Sequence, residues 1–193
     1  HDVRGGSLTR RDLERLGLAP RGGWAERGLG SPIFGVHVGL PTEDFSDLYG
    51  NSTGISLWRN FWGKLRLGAI ELVGGYQKFS REEGLGGALF VYPITANLVV
   101  RAPDALFRPY ITAGGGLYGW DSRIHITPEI RTLTTGWDWG LTGGVGIEYY
   151  LRANVAFDAG LRYHATKGPG SGVGIADDHL RFLALWVGHY VRF

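Results

Sequence analysis

The sequence predicts an all-β fold, an eight-stranded antiparallel up-and-down transmembrane β-barrel, on three observations. From residue 32 onward the chain consists of short runs in which apolar residues alternate with others, without a helical period. The runs number eight, and an even number lets a closed barrel begin and end on the same side of a membrane. The connections between them alternate in length. Closure is required because an open strand edge in lipid would leave backbone groups without hydrogen bonds.

The eight predicted strands are separated by connections of two kinds. The short connections are 63–64, 102–107 and 151–153, and the long, polar ones are 41–52, 80–87, 122–133 and 165–178. Short turns at one end and long loops at the other are typical of the periplasmic and extracellular ends of membrane barrels. The pattern therefore predicts that both termini are periplasmic. The predicted strands are 32–40, 53–62, 65–79, 89–101, 108–121, 134–150, 154–164 and 179–193.

Composition excludes several other classes of protein. The chain has no Cys, which excludes a disulfide framework and a thiolate metal site. It has no run of 18 apolar residues, which excludes a transmembrane helix, whereas the alternating strands of a barrel average to a mean hydropathy near zero. Six Arg oppose four acidic residues in 1–31, and the charges balance beyond that point. No basic stripe is left for nucleic acid, so no nucleic-acid partner is expected.

The alternation assigns side chains to the two faces of the strands. In 134–150 and 154–164 apolar and aromatic side chains share one face, which is expected to contact lipid, and polar side chains and glycines share the other. The third strand changes phase after Leu67, and a β-bulge near Ala69 would keep Glu71 inside. His37, Asn97, Thr112 and Thr142 also fall on the inward face.

Three basic and three acidic side chains are predicted to meet in the interior. An eight-stranded barrel is only wide enough for side chains to fill it, so this set predicts a neutralised polar plug rather than a channel lining. Inward glycines make room for the long Arg side chains. The members of the set are Arg66, Arg101 and Arg162 with Glu71, Glu148 and Asp158.

Four strand motifs carry a family resemblance. They are YPITANL at 92–98, RPYITAGGG at 108–116, GVGIEYY at 144–150 and GLRYH at 160–164. In this order they resemble the small OmpA/OmpX-like outer-membrane barrels over 32–193. The chain also ends on Phe193, which resembles the signal that the barrel-insertion machinery reads in that family. The resemblance implies an integral outer-membrane protein in contact with outer-membrane lipids and lipopolysaccharide.

Residues 1–31 are predicted to form a periplasmic tail with one short helix. Thr9 and Asp12 have the spacing of a capping box, but the helix would be about two turns long, too short to be stable alone. Leu13, Leu16 and Trp24 are candidate anchors for docking on the barrel, on a periplasmic partner or on a sister subunit. The alternative is a disordered leader.

One motif suggests chemistry. His164-Ala165-Thr166 resembles the His-x-Ser element of lipid A deacylases, in which Thr166 would be the nucleophile, His164 its base, and Asp178 or its neighbour Asp177 the orienting carboxylate. Thr replaces the family's Ser, and Lys167 stands where Asn is usual. His164 is instead expected to be a rim residue that begins a loop.

The remaining polar motifs do not predict a cofactor. Asp177, Asp178 and His179 are adjacent, but neighbouring side chains on a strand point to opposite faces, so no metal site is expected. The expected function is therefore non-enzymatic: a barrel with a plugged polar lumen and a structural or interaction role in the outer membrane. The alternatives are a lipid A deacylase that uses His164 and Thr166, a small pore, and a soluble barrel with apolar side chains inside.

Overall fold

The computed structural model is a closed antiparallel barrel of eight strands in sequence order, with β1 paired to β8, and it confirms the predicted fold. The structure describes residues 33–42, 46–47, 49–62, 68–81, 86–102, 107–125, 131–152, 155–168 and 179–191. The predicted tail 1–31 lies outside these residues. The strands are β1 (Ile33–Pro41), β2 (Tyr49–Trp62), β3 (Gly68–Arg81), β4 (Gly87–Arg101), β5 (Phe107–His125), β6 (Arg131–Arg152), β7 (Val155–Lys167) and β8 (His179–Val191).

Several strands are longer than the apolar alternation predicted. β5 and β6 pair as far as His125 and Arg131, and β7 continues to Lys167. The backbone ladder runs on through polar residues that the apolar pattern does not mark. As a result the intervals 82–86, 102–106 and 126–130 between the described strands are equal in length, and the expected alternation of short and long connections is wrong there.

The two ends of the barrel are named by the strand ends that lie there. Ile33 and Val191 lie at one end, called here the terminal end, because an even number of antiparallel strands returns the chain to its starting side. The opposite end, called the loop end, carries the strand ends at Pro41, Tyr49, Arg81, Gly87, His125, Arg131, Lys167 and His179.

The outer surface of the barrel is a continuous apolar belt. Large hydrophobic side chains are exposed on every strand, and Trp139 and Leu141 are the most exposed of them, at 75% and 71%. Aromatic pairs lie towards both ends of the belt, with Phe107 stacked on Tyr149 near the terminal end and Tyr76 beside Phe90 near the loop end. This arrangement is the one that lipid requires. Among the described residues no helix is long and apolar enough to span a membrane.

The β-bulge expected near Ala69 is absent from the described part of β3. Pairing with β2 runs without a register shift from Ala69 to Phe79, and pairing with β4 is in register from Gly68. The strand already begins in the phase that turns Ile70 outward and Glu71 inward, so no correction is needed within it. Leu65 and Leu67, which suggested the phase change, lie outside the described residues.

The interior is not the purely polar plug that the sequence predicted, because two apolar clusters lie within it. Large aromatic side chains dominate both, and polar side chains fill the space between and around them. The loop-end cluster comprises Tyr49, Phe79, Leu89, Val91, Tyr118, Trp120, Leu180, Phe182 and Ala184. The terminal-end cluster comprises Ile33, Trp58, Val73, Val99, Tyr110 and Trp186.

Ile94→Arg tests the apolar belt. Ile94 is 56% exposed and lies midway along β4. A charge at the middle of the lipid-facing surface should lower the free energy of unfolding by about 2–4 kcal/mol, whereas Ser80→Arg, near the loop end of β3, should lower it by at most about 1 kcal/mol. Urea titration of the protein in phosphatidylcholine vesicles measures both. Equal effects would show that the two positions do not differ in depth.

Candidate functional site: the barrel interior

Glu71 lies at the centre of the first interior network. Its Oε1 accepts hydrogen bonds from Arg162 Nη2 at 2.8 Å and from Asn97 Nδ2 at 3.1 Å. Asn97 pairs directly with Glu71 on the neighbouring strand and also donates to Thr95 Oγ1. Glu71 is 1% exposed, so its charge depends on these partners rather than on solvent.

A second network lies near the terminal end around Glu148. Arg101 Nε contacts Glu148 Oε1 at 2.6 Å, and Tyr150 Oη donates to Glu148 Oε2 at 2.8 Å. Arg108 pairs with Glu148 in register, and its Nη1 lies 3.8 Å from Glu148 Oε2 and donates to Tyr150 Oη. Both carboxylate oxygens of Glu148 are thus satisfied by side chains.

Asp158 completes the set of buried charges. It pairs directly with Glu148 across β6 and β7, so two acids face each other there. Its Oδ1 accepts a 2.9 Å hydrogen bond from Tyr110 Oη. Gly146 makes this contact feasible, since a Cβ at that position would lie 2.5 Å from the Tyr110 hydroxyl.

The structure brings together five of the six predicted interior charges and adds one that was missed. Glu71, Arg101, Glu148, Asp158 and Arg162 are all buried inside the barrel. Arg66 lies outside the described residues. Arg108 takes a buried position that sequence reasoning overlooked, although it shares the inward parity of Tyr110 and Thr112. Three basic and three acidic side chains are therefore buried in the described interior.

A small cavity lies inside the barrel between the terminal-end cluster, which contributes Trp58 and Trp186 to its lining, and the loop-end cluster, which contributes Ala184. Its volume is about 30 Å³, and its lining includes His37, Ser56, Gln77, Arg162 and His164. His37 Nδ1 and Ser56 Oγ share a 3.0 Å hydrogen bond at its edge. A space of this size holds one or two water molecules.

His164 is not the rim residue that the sequence predicted. β7 continues past it, and its side chain lies inside the barrel, 5% exposed, stacked on Phe182 with ring centroids 4.6 Å apart. Its Nδ1 shares a 2.8 Å hydrogen bond with Tyr118 Oη. The Thr166 hydroxyl donates to the Trp139 carbonyl oxygen at 3.0 Å. The two residues of the suggested hydrolytic motif are thus each bonded to other groups, inside the barrel wall.

Other predicted site residues lie outside the described part of the chain. These are Leu13, Leu16 and Trp24 of the tail, Asp177 and Asp178 of the suggested catalytic and metal motifs, and the terminal Phe193. Among the described residues no group of three or more His, Asp or Glu side chains is placed to hold a metal ion.

Comparison with known proteins identifies the fold. No protein-family model and no curated protein sequence matches the chain. Among solved structures, the Neisserial surface protein NspA matches with a TM-score of 0.57 and 15% identity, over 86% of this chain and 100% of that one. Ail, the attachment invasion locus protein of Yersinia pestis, matches with a TM-score of 0.55 and 19% identity, over 86% and 99%.

The outer membrane enzyme PagL matches about as well, with a TM-score of 0.54 and 16% identity, over 83% of this chain and 99% of that one. A surface protein, an attachment invasion locus protein and an enzyme are thus about equally similar to the chain, and the likeness does not discriminate between their functions. It agrees with the fold that the strand motifs imply. The fold of this chain is that of the eight-stranded outer-membrane β-barrels.

Proposed function

We propose that this chain is a non-enzymatic integral outer-membrane protein with a closed interior, whose structural and interaction roles are carried by its surfaces. In this proposal both termini face the periplasm, the barrel-insertion machinery acts during biogenesis, and outer-membrane lipids and lipopolysaccharide surround the belt. The tail is the candidate contact for a periplasmic partner or a sister subunit. The observation that carries the proposal is the packing of the interior.

The interior packing argues against a pore. The two apolar clusters fill the barrel at different levels, with Trp120 and Phe182 in one and Trp58 and Trp186 in the other. A conducting path would have to displace both, and would also have to separate Arg162 from Glu71. Breaking a buried ion pair of this kind costs about 3–5 kcal/mol.

The positions of His164 and Thr166 argue against the deacylase alternative. A hydrolase acting on lipid needs its nucleophile and base in hydrogen-bond contact and accessible to the acyl ester. Here both side chains are buried, and each is bonded to a different group, Tyr118 for His164 and the Trp139 carbonyl for Thr166.

Conductance and lipid analysis test the proposal together. The purified full chain in planar bilayers is expected to give no steady conductance, because the interior is filled. Lipid A from cells that express the chain, its His164→Ala variant or neither is expected to have the same acylation by mass spectrometry. Steady channels would overturn the closed interior. An acyl loss that depends on the chain and disappears with His164→Ala would establish the enzyme instead.

A further inference from the structure

A groove on the outer surface of the barrel lies at the loop end, between β6, β7 and β8. Ala165 forms its floor, because it pairs with Leu141 on β6 and with Arg181 on β8 and has the smallest side chain of the three. Lys167, two residues nearer the loop end on the same face of β7, pairs with His179. Trp139 completes the wall on the β6 side. The groove therefore has an apolar side and a basic side.

The apolar side faces the lipid. Trp139 and Leu141 are the two most exposed large hydrophobic side chains of the described chain. Trp side chains are typical of the boundary between hydrocarbon and headgroups. The groove therefore lies where an acyl chain meets its headgroup.

The basic side concentrates positive charge at the same depth. Lys167 and Arg181 are diagonal neighbours on adjacent strands, a spacing of about 7–8 Å between backbones that lets two long side chains reach one anion. The described residues that line the groove include no Asp or Glu. His179 and Arg181 also interact with other parts of the chain. The chemistry that complements this side is a phosphate.

We propose that this groove binds an anionic lipid of the leaflet at the loop end. The lipid phosphate lies between Lys167 and Arg181, and the first part of an acyl chain packs on Leu141 and Trp139 over Ala165. The inference rests on the proposed membrane location. The proposed function assigns lipid contact to the whole outer surface, and this inference names one binding site within it.

The same strand offers a matched control for the groove. Ala159 also faces outward and is flanked by two larger side chains, Ile147 on β6 and Val187 on β8. Its flanks are aliphatic on both sides, so it provides a place for an acyl chain but none for a phosphate. Ala165→Leu and Ala159→Leu are thus the same change at equivalent positions that differ in neighbouring charge.

Native mass spectrometry of the full chain in a neutral detergent tests the site. With phosphatidylglycerol and phosphatidylcholine of identical acyl chains, one phosphatidylglycerol is expected to be retained in preference. Lys167→Ala and Arg181→Ala should each weaken retention about fivefold, the value of one basic residue near an anionic surface. Ala165→Leu should abolish the preference, and Ala159→Leu should leave it intact.

Three outcomes would overturn the inference. They are equal retention of the two lipids, equal effects of Ala165→Leu and Ala159→Leu, and complete displacement of the lipid by millimolar inorganic phosphate, which would identify a site for a free anion. A heat-modifiable shift on gels checks that each variant is folded. The closed interior is judged separately by conductance, so failure here is distinguishable from failure of the proposed function.

Discussion

Replacing Glu71 by alanine is expected to lower the free energy of unfolding by about 3–5 kcal/mol, since the change leaves a buried guanidinium without its counterion. Arg162 would retain its charge at 6% exposure. Asn97 would lose an acceptor at the same time. Urea titration of the folded barrel in phosphatidylcholine vesicles measures the loss. The double variant Glu71→Ala/Arg162→Ala should lose much less than the sum of the two single variants, because it removes both charges together.

An exposed ion pair of the same length provides the control. Arg123 Nη2 lies 2.8 Å from Asp121 Oδ2, the distance that also separates Arg162 Nη2 from Glu71 Oε1. Asp121→Ala should cost at most about 1 kcal/mol, because solvent screens an exposed pair. If Asp121→Ala and Glu71→Ala had equal effects, burial of the Glu71 pair could not be the source of its stability.

The face of each interior charge could be predicted from the sequence, whereas its partner could not. A strand has a side-chain period of two, so local alternation predicts that Glu148, Asp158 and Arg162 lie inside. For Glu71 the same prediction assumed a β-bulge near Ala69, which is absent from the described part of β3. Which levels then meet across the lumen depends on strand tilt and stagger. Glu71 and Arg162 are 91 residues apart in sequence, and only the closed barrel brings them together.

The residues that β8 contributes to the two apolar interior clusters could not be predicted, because β8 is apolar on both faces. Phe182, Ala184 and Trp186 point inward, while Leu185 and Val187 are exposed between them. A strand that is apolar on both faces has no alternation to indicate which face contacts lipid and which faces the barrel interior. The expectation that His164 lies at the rim was wrong for a related reason. The predicted strand ended at residue 164, where the apolar pattern stops, but the backbone pairing of β7 continues to Lys167.

Trp186→Ala is the second large effect that we expect, because this indole links the terminal-end cluster to the ion-pair network. Its ring meets Trp58 edge to face with centroids 4.7 Å apart, and the Arg162 guanidinium lies 5.6 Å from its centre. Gly160 faces the indole, and a Cβ there would lie 2.9 Å from it, so the backbone is shaped around this side chain. Truncation should lower the free energy of unfolding by about 3–5 kcal/mol.

The conservative change Trp186→Phe tests how much of the loss comes from removing the aromatic ring. A phenyl ring keeps the edge-to-face contact with Trp58, so Trp186→Phe should lose less than half as much as Trp186→Ala in the same urea titration. A loss below about 1 kcal/mol for Trp186→Ala would contradict a packed cluster, since surface-like positions give such small values. Conductance should remain absent in both variants, because the loop-end cluster around Phe182 closes the barrel at a separate level. Steady current through Trp186→Ala would show instead that the terminal-end cluster alone closes the interior.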